Sequence, residues 1–298
     1  MSSTAVTAQV SDYRGRFAPS PSGPLHFGSL VAAVGSYLDA KVNQGKWLVR
    51  IEDIDTTRVV KGAATDILNT LDAYCLNWDE NVVYQTQRLT IYQDAVNSLS
   101  KQQLIYACQC SRKQIKALGG IYQGQCKHSQ LSEQGHALRL TQCHATVTYN
   151  DLIQGRIDVD PALAHEDYII KRSDGLFAYQ LVVVIDDIEQ GINRIVRGAD
   201  LLEPTARQIS LFKQLNNPIP EFAHLPLAVA KPGFKLSKQN YAPAICKQNP
   251  KPTLIAVFKF LGLPIHEQLM DLTCEQLLAW GVAHFNLSLV PAKREIQI

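Results

Sequence analysis

The chain has 298 residues, of which 46% are hydrophobic and 19% charged, and its formal net charge is +2. This length allows about two domains with a sizeable core, and the near-neutral charge neither requires nor excludes a nucleic-acid partner. Seven cysteines in a chain too large to need cross-links argue against a secreted disulfide scaffold and indicate a reducing, cytoplasmic compartment.

The N-terminal half shows alternating strand and helix patterns. Residues 1–13 have neither the basic start nor the apolar core of a signal peptide and are expected to be a disordered leader. No apolar run is long enough to cross a bilayer, so no membrane association is expected. The predicted elements are a strand over Arg14–Ala18, a helix over Phe27–Val42, a strand over Trp47–Ile51, and helices over 61–76 and 88–104. This alternation predicts a parallel α/β sheet.

The loop before the first helix, FAPSPSGPLHFGSL, is unusually stiff. Its three prolines fix backbone dihedrals, and Gly23 and Gly28 allow a ligand to approach the backbone closely. A helix N-terminus follows, which is a ready anion site, and His26 lies just ahead of it. Each feature alone is common in a rigid turn with a surface histidine. Their combination favours a phosphate-binding loop in which His26 donates to a phosphate.

From Tyr106 to about Asp160 the chain becomes rich in cysteine, glycine and histidine, which indicates an inserted subdomain. Three cysteines there have metal-like spacing, although they lack the paired CxxC motifs of the strongest zinc signatures: Cys108, Cys110 and Cys126. The alternative is that they are buried as small hydrophobic residues.

Spacing alone does not identify the fourth ligand of such a metal site. Tyr122, His128 and Cys143 are candidates, and ligand chemistry favours His128. No acid that activates water stands nearby, so a structural metal is expected rather than a catalytic one.

The C-terminal half continues the strand and helix patterns. The segment Leu181–Ile185 is ambiguous, because its β-branched residues favour a strand while its length also allows a helix. The other predicted elements are a hairpin of Tyr168–Lys171 and Leu176–Ala178 around SDG, a helix over Glu203–Leu215, a strand over Leu225–Ala230, a KPG turn, and two short helices within Pro252–Trp280 separated near Pro264.

A basic region follows the last predicted strand. No carboxylate occurs between Glu221 and Glu267, whereas six lysines do: Lys231, Lys235, Lys238, Lys247, Lys251 and Lys259. Such a local cationic field suits a phosphorylated partner, although a solvated basic surface has the same composition. Within this region, the KLSK motif at residues 235–238 is suited to hold a polyphosphate between its two ammonium groups.

An amino-acid pocket is expected at the carboxyl ends of the strands. Arg16 precedes the stiff loop and Glu52 ends the second strand, so an open α/β sheet brings both to one crevice. A guanidinium suits a substrate carboxylate and a carboxylate suits an ammonium. Pattern alone does not single out Tyr179 or Arg197.

Four segments in order resemble the catalytic core of a class I glutamyl-tRNA synthetase over residues 14–240: RFAPSPSGPLHFGSL, RIEDID, IVRGADLLEPTARQ and KLSK. PLHFGSL stands where that family has its HIGH signature, and KLSK stands where it has KMSKS. The resemblance implies a Rossmann-type parallel sheet with an inserted zinc-bearing α+β subdomain, and it assigns residues 181–185 to a helix. The implied domains are the first Rossmann half over 14–105, the insertion over 106–168, the second half with KLSK over 169–240, and a small helical segment over 241–298 without an anticodon-binding domain.

The resemblance also implies residue roles. The residues implied to bind glutamate are Arg16, Phe17, Ala18, Pro19, Ser20, Glu52, Tyr179 and Arg197. The residues expected at ATP are His26, Gly28, Ser29, Lys235, Leu236, Ser237 and Lys238, of which His26, Lys235 and Lys238 are the catalytic candidates. The implied zinc ligands are Cys108, Cys110, Tyr122 and Cys126, so the family replaces His128 by Tyr122. A Mg²⁺ ion with ATP is expected because several phosphate oxygens must be neutralised.

Two departures point to a truncated branch of this family. Only sixty residues follow KLSK, and Ser29 replaces the second histidine of the signature. Members of that branch attach glutamate to the queuosine base in the anticodon stem-loop of tRNA(Asp), and the chain is expected to act as a monomer. Three alternatives stay open: a truncated enzyme that charges the 3′ end of tRNA(Glu), a nucleotidyltransferase, and a catalytically silent binding paralogue.

Overall fold

The structure, a computed structural model, describes residues 12–231, 233–235 and 243–298, and the side chains of residues 234 and 235 are outside that description. Residues 1–11 of the predicted leader therefore lie outside the described residues. Tyr13, its last residue, is not disordered: the ring is buried and its hydroxyl donates to Asp39 at 2.7 Å. Among the described residues, no helix is both long and apolar enough to cross a membrane.

The described elements alternate as the sequence predicts. The helices are α1 (Phe27–Val42), α2 (Ala63–Ala73), α3 (Leu89–Lys101), α4 (Arg112–Ala117), α5 (Pro161–Ala164), α6 (Tyr179–Glu189), α7 (Leu202–Gln214), α8 (Pro250–Phe260) and α9 (Cys274–His284). The strands are β1 (Arg14–Phe17), β2 (Lys46–Ile51), β3 (Val83–Tyr84), β4 (Ile105–Cys108), β5 (Ala137–Leu140), β6 (Thr148–Asp151), β7 (Gly155–Asp158), β8 (Tyr168–Lys171), β9 (Arg194–Gly198), β10 (Glu221–Leu225), β11 (Leu227–Lys231), β12 (Phe234–Lys235) and β13 (Glu295–Gln297).

Parallel strand pairs form the centre of the fold. β1 and β3 flank β2 in parallel, and β9 pairs in parallel with β10. β1 and β9 lie side by side, and the backbone N–H of Asn193 donates to the Arg14 carbonyl where they start. The apolar face of α1 packs on β1, β2 and β9, which buries this sheet on the helix side. The parallel α/β sheet expected from the sequence is confirmed.

The ambiguous segment 181–185 lies inside helix α6, as the family resemblance implied. Residues 181–187 of this helix are all buried. A helix enclosed on every side carries apolar residues on all faces, so its composition no longer distinguishes it from a buried strand. The strand propensity of its valines was therefore misleading.

The predicted strand Leu225–Ala230 is wrong as a single element. It is interrupted at Pro226, which has no N–H for a sheet ladder. Residues before the proline pair with β9, whereas β11 joins a different sheet between β12 and β13. The C-terminal segment contains strand β13 in addition to its two predicted helices.

The predicted hairpin around SDG is only partly formed. Its second arm makes a single antiparallel bridge, between Lys171 and Phe177.

The inserted region contains two antiparallel units. Strands β4, β5 and β8 form one sheet, and β6 and β7 form a separate hairpin. The loop of that hairpin docks on the central sheet, because the N–H of Leu152 donates to the Phe222 carbonyl of β10 at 2.8 Å. This contact places the end of β6 beside β10. The domain boundaries themselves stay a prediction.

Candidate active site

His26 caps the helix that follows the stiff loop. Its Nδ1 accepts a hydrogen bond from the backbone N–H of Ser29 at 3.3 Å, and its side chain is largely buried. A neutral imidazole carries its proton on the nitrogen that does not accept, so the proton resides on Nε2. His26 therefore satisfies one N–H of the helix terminus through Nδ1 and carries its donor at Nε2.

A cavity of about 160 Å³ lies beside this helix terminus. It is enclosed by the start of α1 and by the ends of β9 and β10 with the chain that follows: His26, Gly28, Ser29, Val31, Ala32, Gly198, Asp200, Leu225, Pro226, Leu227 and Ala228. The N-terminal turn of a helix and an imidazole on one wall make this cavity suitable for a phosphorylated ligand.

The chain leading into KLSK passes next to the same cavity. Lys235 pairs with Val229 of β11, and the neighbouring β11 residues Leu227 and Ala228 line the cavity. The side chain of Lys235 and the whole of Leu236, Ser237 and Lys238 lie outside the described residues. Their role at a phosphate stays a prediction.

A second cavity of about 150 Å³ adjoins the first, since Ala32 and Gly198 line both. Six of the eight residues predicted to bind glutamate line it: Arg16, Phe17, Ala18, Glu52, Tyr179 and Arg197. Pro19 and Ser20 do not; Ser20 lines a smaller cavity that Glu52 also lines. The structure thus gathers the predicted amino-acid-binding side chains at one point, directly beside the phosphate-suited cavity.

Arg197 is buried and only partly satisfied by protein groups. Its Nη2 donates to Thr205 and Gln208 at 2.6 Å each, and its Nε donates to His224 at 3.2 Å. Its Nη1 has no hydrogen-bond acceptor among the described residues. Leaving a charged N–H buried and unpaired is costly, so this group is suited to an anionic acceptor in the cavity that Arg197 lines.

Arg16 is held by a carboxylate that the sequence did not single out. Asp187 accepts from Arg16 Nε at 3.0 Å and from Arg50 at 2.8 Å. Burial alone raises the pKa of Asp187, but the two guanidinium groups outweigh it and hold that pKa below its usual range. Asp187 is therefore ionised and fixes both arginines. Its only signal in the sequence is the position of an aspartate at the end of an apolar helix.

Glu52 has the opposite character. Its Oε1 accepts no hydrogen bond from the described residues, and Arg50 lies 3.6 Å away. Burial raises the pKa of its carboxyl to about 7, against the lowering effect of Arg50 and Arg16. Burial also raises the pKa of the neighbouring Tyr179 to about 12, so that phenol stays neutral. A cationic group entering the cavity would complete the environment of Glu52.

The three predicted metal-binding cysteines come together. The Sγ atoms of Cys108, Cys110 and Cys126 all lie within 4.8 Å of one another. The guanidinium of Arg139 donates to Cys108 Sγ at 3.2 Å and covers the ring of Tyr122 at 3.6 Å. A cation at this position offsets the negative charge of clustered thiolates. This cluster, in which Cys108 and Cys126 are buried and Cys110 is half-buried, can hold a metal ion.

The preference for His128 as fourth ligand is wrong. In the described part of the chain, no histidine or carboxylate joins the three thiols, and both His128 and Cys143 are exposed. Tyr122 is buried with the cluster, and its phenol oxygen accepts from the Cys126 N–H at 2.8 Å. Ligand chemistry alone could not show that Tyr122, and not His128, lies beside the thiols.

The comparisons with known proteins agree with this arrangement. Residues 12–251 match the family model of tRNA synthetases class I (E and Q), catalytic domain. The chain is 53% identical to a glutamyl-Q tRNA(Asp) synthetase from Serratia proteamaculans over 97% of this chain and 96% of that protein. It is 52% identical to the protein of that name from Vibrio cholerae, over 96% and 94% of the two chains.

A solved structure shares the fold. A glutamate tRNA ligase from Elizabethkingia meningosepticum superposes with a TM-score of 0.80 at 24% identity, covering 96% of this chain and 67% of that one. At this identity the likeness concerns the fold alone. The chain belongs to the class I (E and Q) tRNA synthetase family, in the branch formed by the glutamyl-Q tRNA(Asp) synthetases.

Proposed function

We propose that this chain activates L-glutamate with ATP as glutamyl-adenylate and transfers the glutamyl group to the queuosine base in the anticodon of tRNA(Asp). The observation that carries the first half is the adjoining pair of cavities, one beside a capped helix terminus and the other lined by Arg197 and Glu52, whose Nη1 and Oε1 make no hydrogen bond to any described residue. The names of the relatives support the choice of acceptor.

In the activation step, the glutamate α-carboxylate attacks the α-phosphorus of ATP and pyrophosphate leaves. No protein nucleophile is needed, so catalysis consists of aligning two anions and stabilising the developing charge. His26 donates its Nε2–H to the α-phosphate, with the N-terminal dipole of α1 behind it. Lys238, supported by Lys235, holds the departing pyrophosphate, and a Mg²⁺ ion bound with ATP would neutralise phosphate oxygens.

Charge pairing in the second cavity selects glutamate. Arg16 and Arg197 receive the side-chain carboxylate, and Glu52 receives the α-ammonium group. Glutamine would place a neutral amide against Arg197, which would leave the buried guanidinium poorly paired at a cost of roughly a few kcal/mol. Phe17, Ala18 and Tyr179 complete the walls, and Pro19 and Ser20 hold the loop beside them.

The pKa of Glu52 makes glutamate binding pH-dependent. Below about pH 7 the free enzyme carries a protonated Glu52, whereas the bound ammonium group favours the ionised carboxylate. Binding therefore releases a proton, and glutamate affinity rises as the pH increases towards and through 7. Calorimetric titration at pH 6 in buffers of different ionisation enthalpy is expected to reveal this proton. The variant Glu52→Gln should show none, and a wild-type enthalpy independent of the buffer would contradict the assignment.

In the transfer step, a hydroxyl of the cyclopentenediol ring of queuosine attacks the mixed anhydride. We propose that the inserted subdomain and the basic C-terminal segment hold the RNA stem-loop by its backbone, a salt-sensitive interaction. We further propose that the enzyme acts as a cytoplasmic monomer.

We propose zinc as the metal of the cysteine cluster, with Cys108, Cys110, Cys126 and Tyr122 as ligands. Three thiolates and a phenolate are a donor set that suits Zn²⁺, and a closed set of four ligands is typical of a structural site. Bound zinc would fix the turn that follows α4.

Removing one thiol tests this assignment. Cys126→Ser is expected to lose stoichiometric zinc, measured by mass spectrometry of the metal, and to lower the melting temperature. Cys143→Ser is the matched control, since that thiol is exposed and lies outside the cluster. Full zinc content in Cys126→Ser would remove Cys126 from the ligand set.

The proposed function is tested in two stages. Glutamate-dependent ATP–pyrophosphate exchange without any tRNA is expected, and exchange that needs no amino acid would indicate a nucleotidyltransferase instead. Transfer of labelled glutamate is then measured to tRNA(Asp) with queuosine, to the same tRNA with guanosine at that position, and to tRNA(Glu). Acceptance should require queuosine and persist after removal of the 3′-terminal adenosine. Charging of intact tRNA(Glu) alone would establish 3′-end aminoacylation and overturn the proposal.

A further inference from the structure

A buried hydrogen-bond chain runs from the inserted region to Arg197. His224 lies on β10, is fully buried, and contacts Asp151 at the end of β6 through Nδ1, and both Arg197 on β9 and the hydroxyl of Thr205 through Nε2. His224 Nδ1 is 2.6 Å from Asp151 Oδ2, and His224 Nε2 accepts from Arg197 Nε at 3.2 Å. Asp151, at one end of this hydrogen-bond chain, therefore lies in the inserted region, whereas Arg197, at the other end, lies on the central sheet.

The groups that flank His224 determine which of its ring nitrogens carries the proton. Thr205 Oγ1 lies 3.1 Å from His224 Nε2, but its hydroxyl proton is donated to the Leu201 carbonyl at 2.6 Å. An ionised Asp151 can only accept at Nδ1 and the guanidinium of Arg197 can only donate at Nε2, so Nε2 carries the lone pair. The imidazole proton then resides on Nδ1 and is donated to Asp151. Burial lowers the pKa of His224, against the raising effect of Asp151, and this agrees with a neutral ring. Phe222 stacks on the imidazole with an interplanar angle of 10°, which also restricts its rotation.

The other oxygen of Asp151 is fixed by the backbone. Oδ1 accepts from the N–H groups of Ile153, Gln154 and His224 at 3.0, 2.9 and 3.1 Å. Asp151 thus cannot rotate its carboxylate without losing three hydrogen bonds. The turn after β6 therefore presents Oδ2 in a fixed direction, towards the imidazole.

We infer that Asp151 and His224 are positioning residues for the Arg197 guanidinium: Asp151 sets the tautomer of His224, and that tautomer orients Arg197 towards the substrate carboxylate. This inference rests on the proposed role of Arg197 in binding glutamate. It also means that a residue of the inserted hairpin completes the amino-acid site of the central sheet.

The substitution Asp151→Asn reverses the donor and acceptor roles along these hydrogen bonds, while the side chain keeps nearly the same shape. The three backbone N–H groups retain the amide oxygen at the Oδ1 position, so the new NH₂ group occupies the Oδ2 position and donates to His224 Nδ1. The imidazole must then carry its proton on Nε2, where it meets the Nε–H of Arg197. The new Nε2–H can be accepted by Thr205 Oγ1, 3.1 Å away, but the Nε–H of Arg197 then faces a donor and the guanidinium loses its acceptor at that position.

The expected result is a selective loss of glutamate affinity. In ATP–pyrophosphate exchange, Asp151→Asn should raise the KM for glutamate by between about 10- and 100-fold and leave the KM for ATP within about twofold, because a hydrogen bond to a charged group is lost. Asp158→Asn is the matched control: Asp158 lies on the other strand of the same hairpin and is exposed. Equal changes in both KM values, or no change in either, would overturn the inference.

A second measurement does not depend on the folding of a variant. Nitrogen–carbon correlation spectra of the imidazoles in the wild-type protein distinguish a proton on Nδ1 from one on Nε2, and the signal of His224 is identified by its absence in His224→Gln. We expect the Nδ1–H form in the wild type and the Nε2–H form in Asp151→Asn. An Nε2–H tautomer in the wild type would refute the inference even if glutamate activation is confirmed. Absence of glutamate-dependent exchange in the wild type would instead refute the proposed function and leave the tautomer result standing.

Discussion

Replacing Arg197 by alanine is expected to raise the KM for glutamate by roughly two to three orders of magnitude, with little effect on the KM for ATP. The guanidinium is buried at the wall of the second cavity, and its Nη1 has no acceptor among the described residues. Removing one partner of a buried, hydrogen-bonded charge pair costs about 2–5 kcal/mol, which sets the size of the effect. The measurement is ATP–pyrophosphate exchange with each substrate varied in turn.

Arg194→Ala is the matched control for this variant. Arg194 lies on the same strand β9, but it pairs with Glu221 at 2.7 Å and does not line either cavity. Its loss should leave both KM values near those of the wild type. The variant Arg197→Ala also strips partners from Thr205, Gln208 and His224, so a lower melting temperature is expected and is measured separately. An equal loss of ATP and glutamate affinity would contradict a role confined to the amino acid.

Local chemistry explains which parts of the fold were predictable. Helix α1 has the predicted bounds because its apolar spacing and its capping residue are written in adjacent residues. Helix α6 was ambiguous because burial on every side removes the periodicity that separates helix from strand. The break at Pro226 was missed because a proline within an apolar run can lie at a strand edge, and pairing with two different sheets is decided only by the tertiary fold.

The residues of the candidate site were likewise predictable only where the signal lies in adjacent residues of the sequence. The stiff loop and Glu52 were found because each adjoins a strand end, and parallel topology brings such ends together. Arg197 entered only through the family resemblance, and Asp151, Asp187 and His224 did not emerge at all. Asp187 is 171 positions from Arg16, and Asp151 is 73 positions from His224. Partners at such separations leave no local pattern in a single sequence.

His26 has two separable tasks, and two substitutions should divide them. Nδ1 accepts the N–H of Ser29 and caps α1, while Nε2–H is the proposed donor to the α-phosphate. Asparagine places its Oδ1 near the position of Nδ1 and has no atom near Nε2. Glutamine places its amide nitrogen near the position of Nε2 and has no acceptor near Nδ1. Asparagine is also among the strongest N-cap residues, so the replacement at this position preserves the cap.

His26→Asn is therefore expected to retain the melting temperature of the wild type but to lower the rate of ATP–pyrophosphate exchange by about 10²- to 10³-fold, the usual effect of losing one donor to a developing negative charge. His26→Gln should do the reverse, with a lower melting temperature from the lost cap and a substantial residual rate. His26→Ala should lose both. A wild-type rate in His26→Asn would show that the imidazole serves the helix alone, because that change keeps the cap and removes the donor at Nε2.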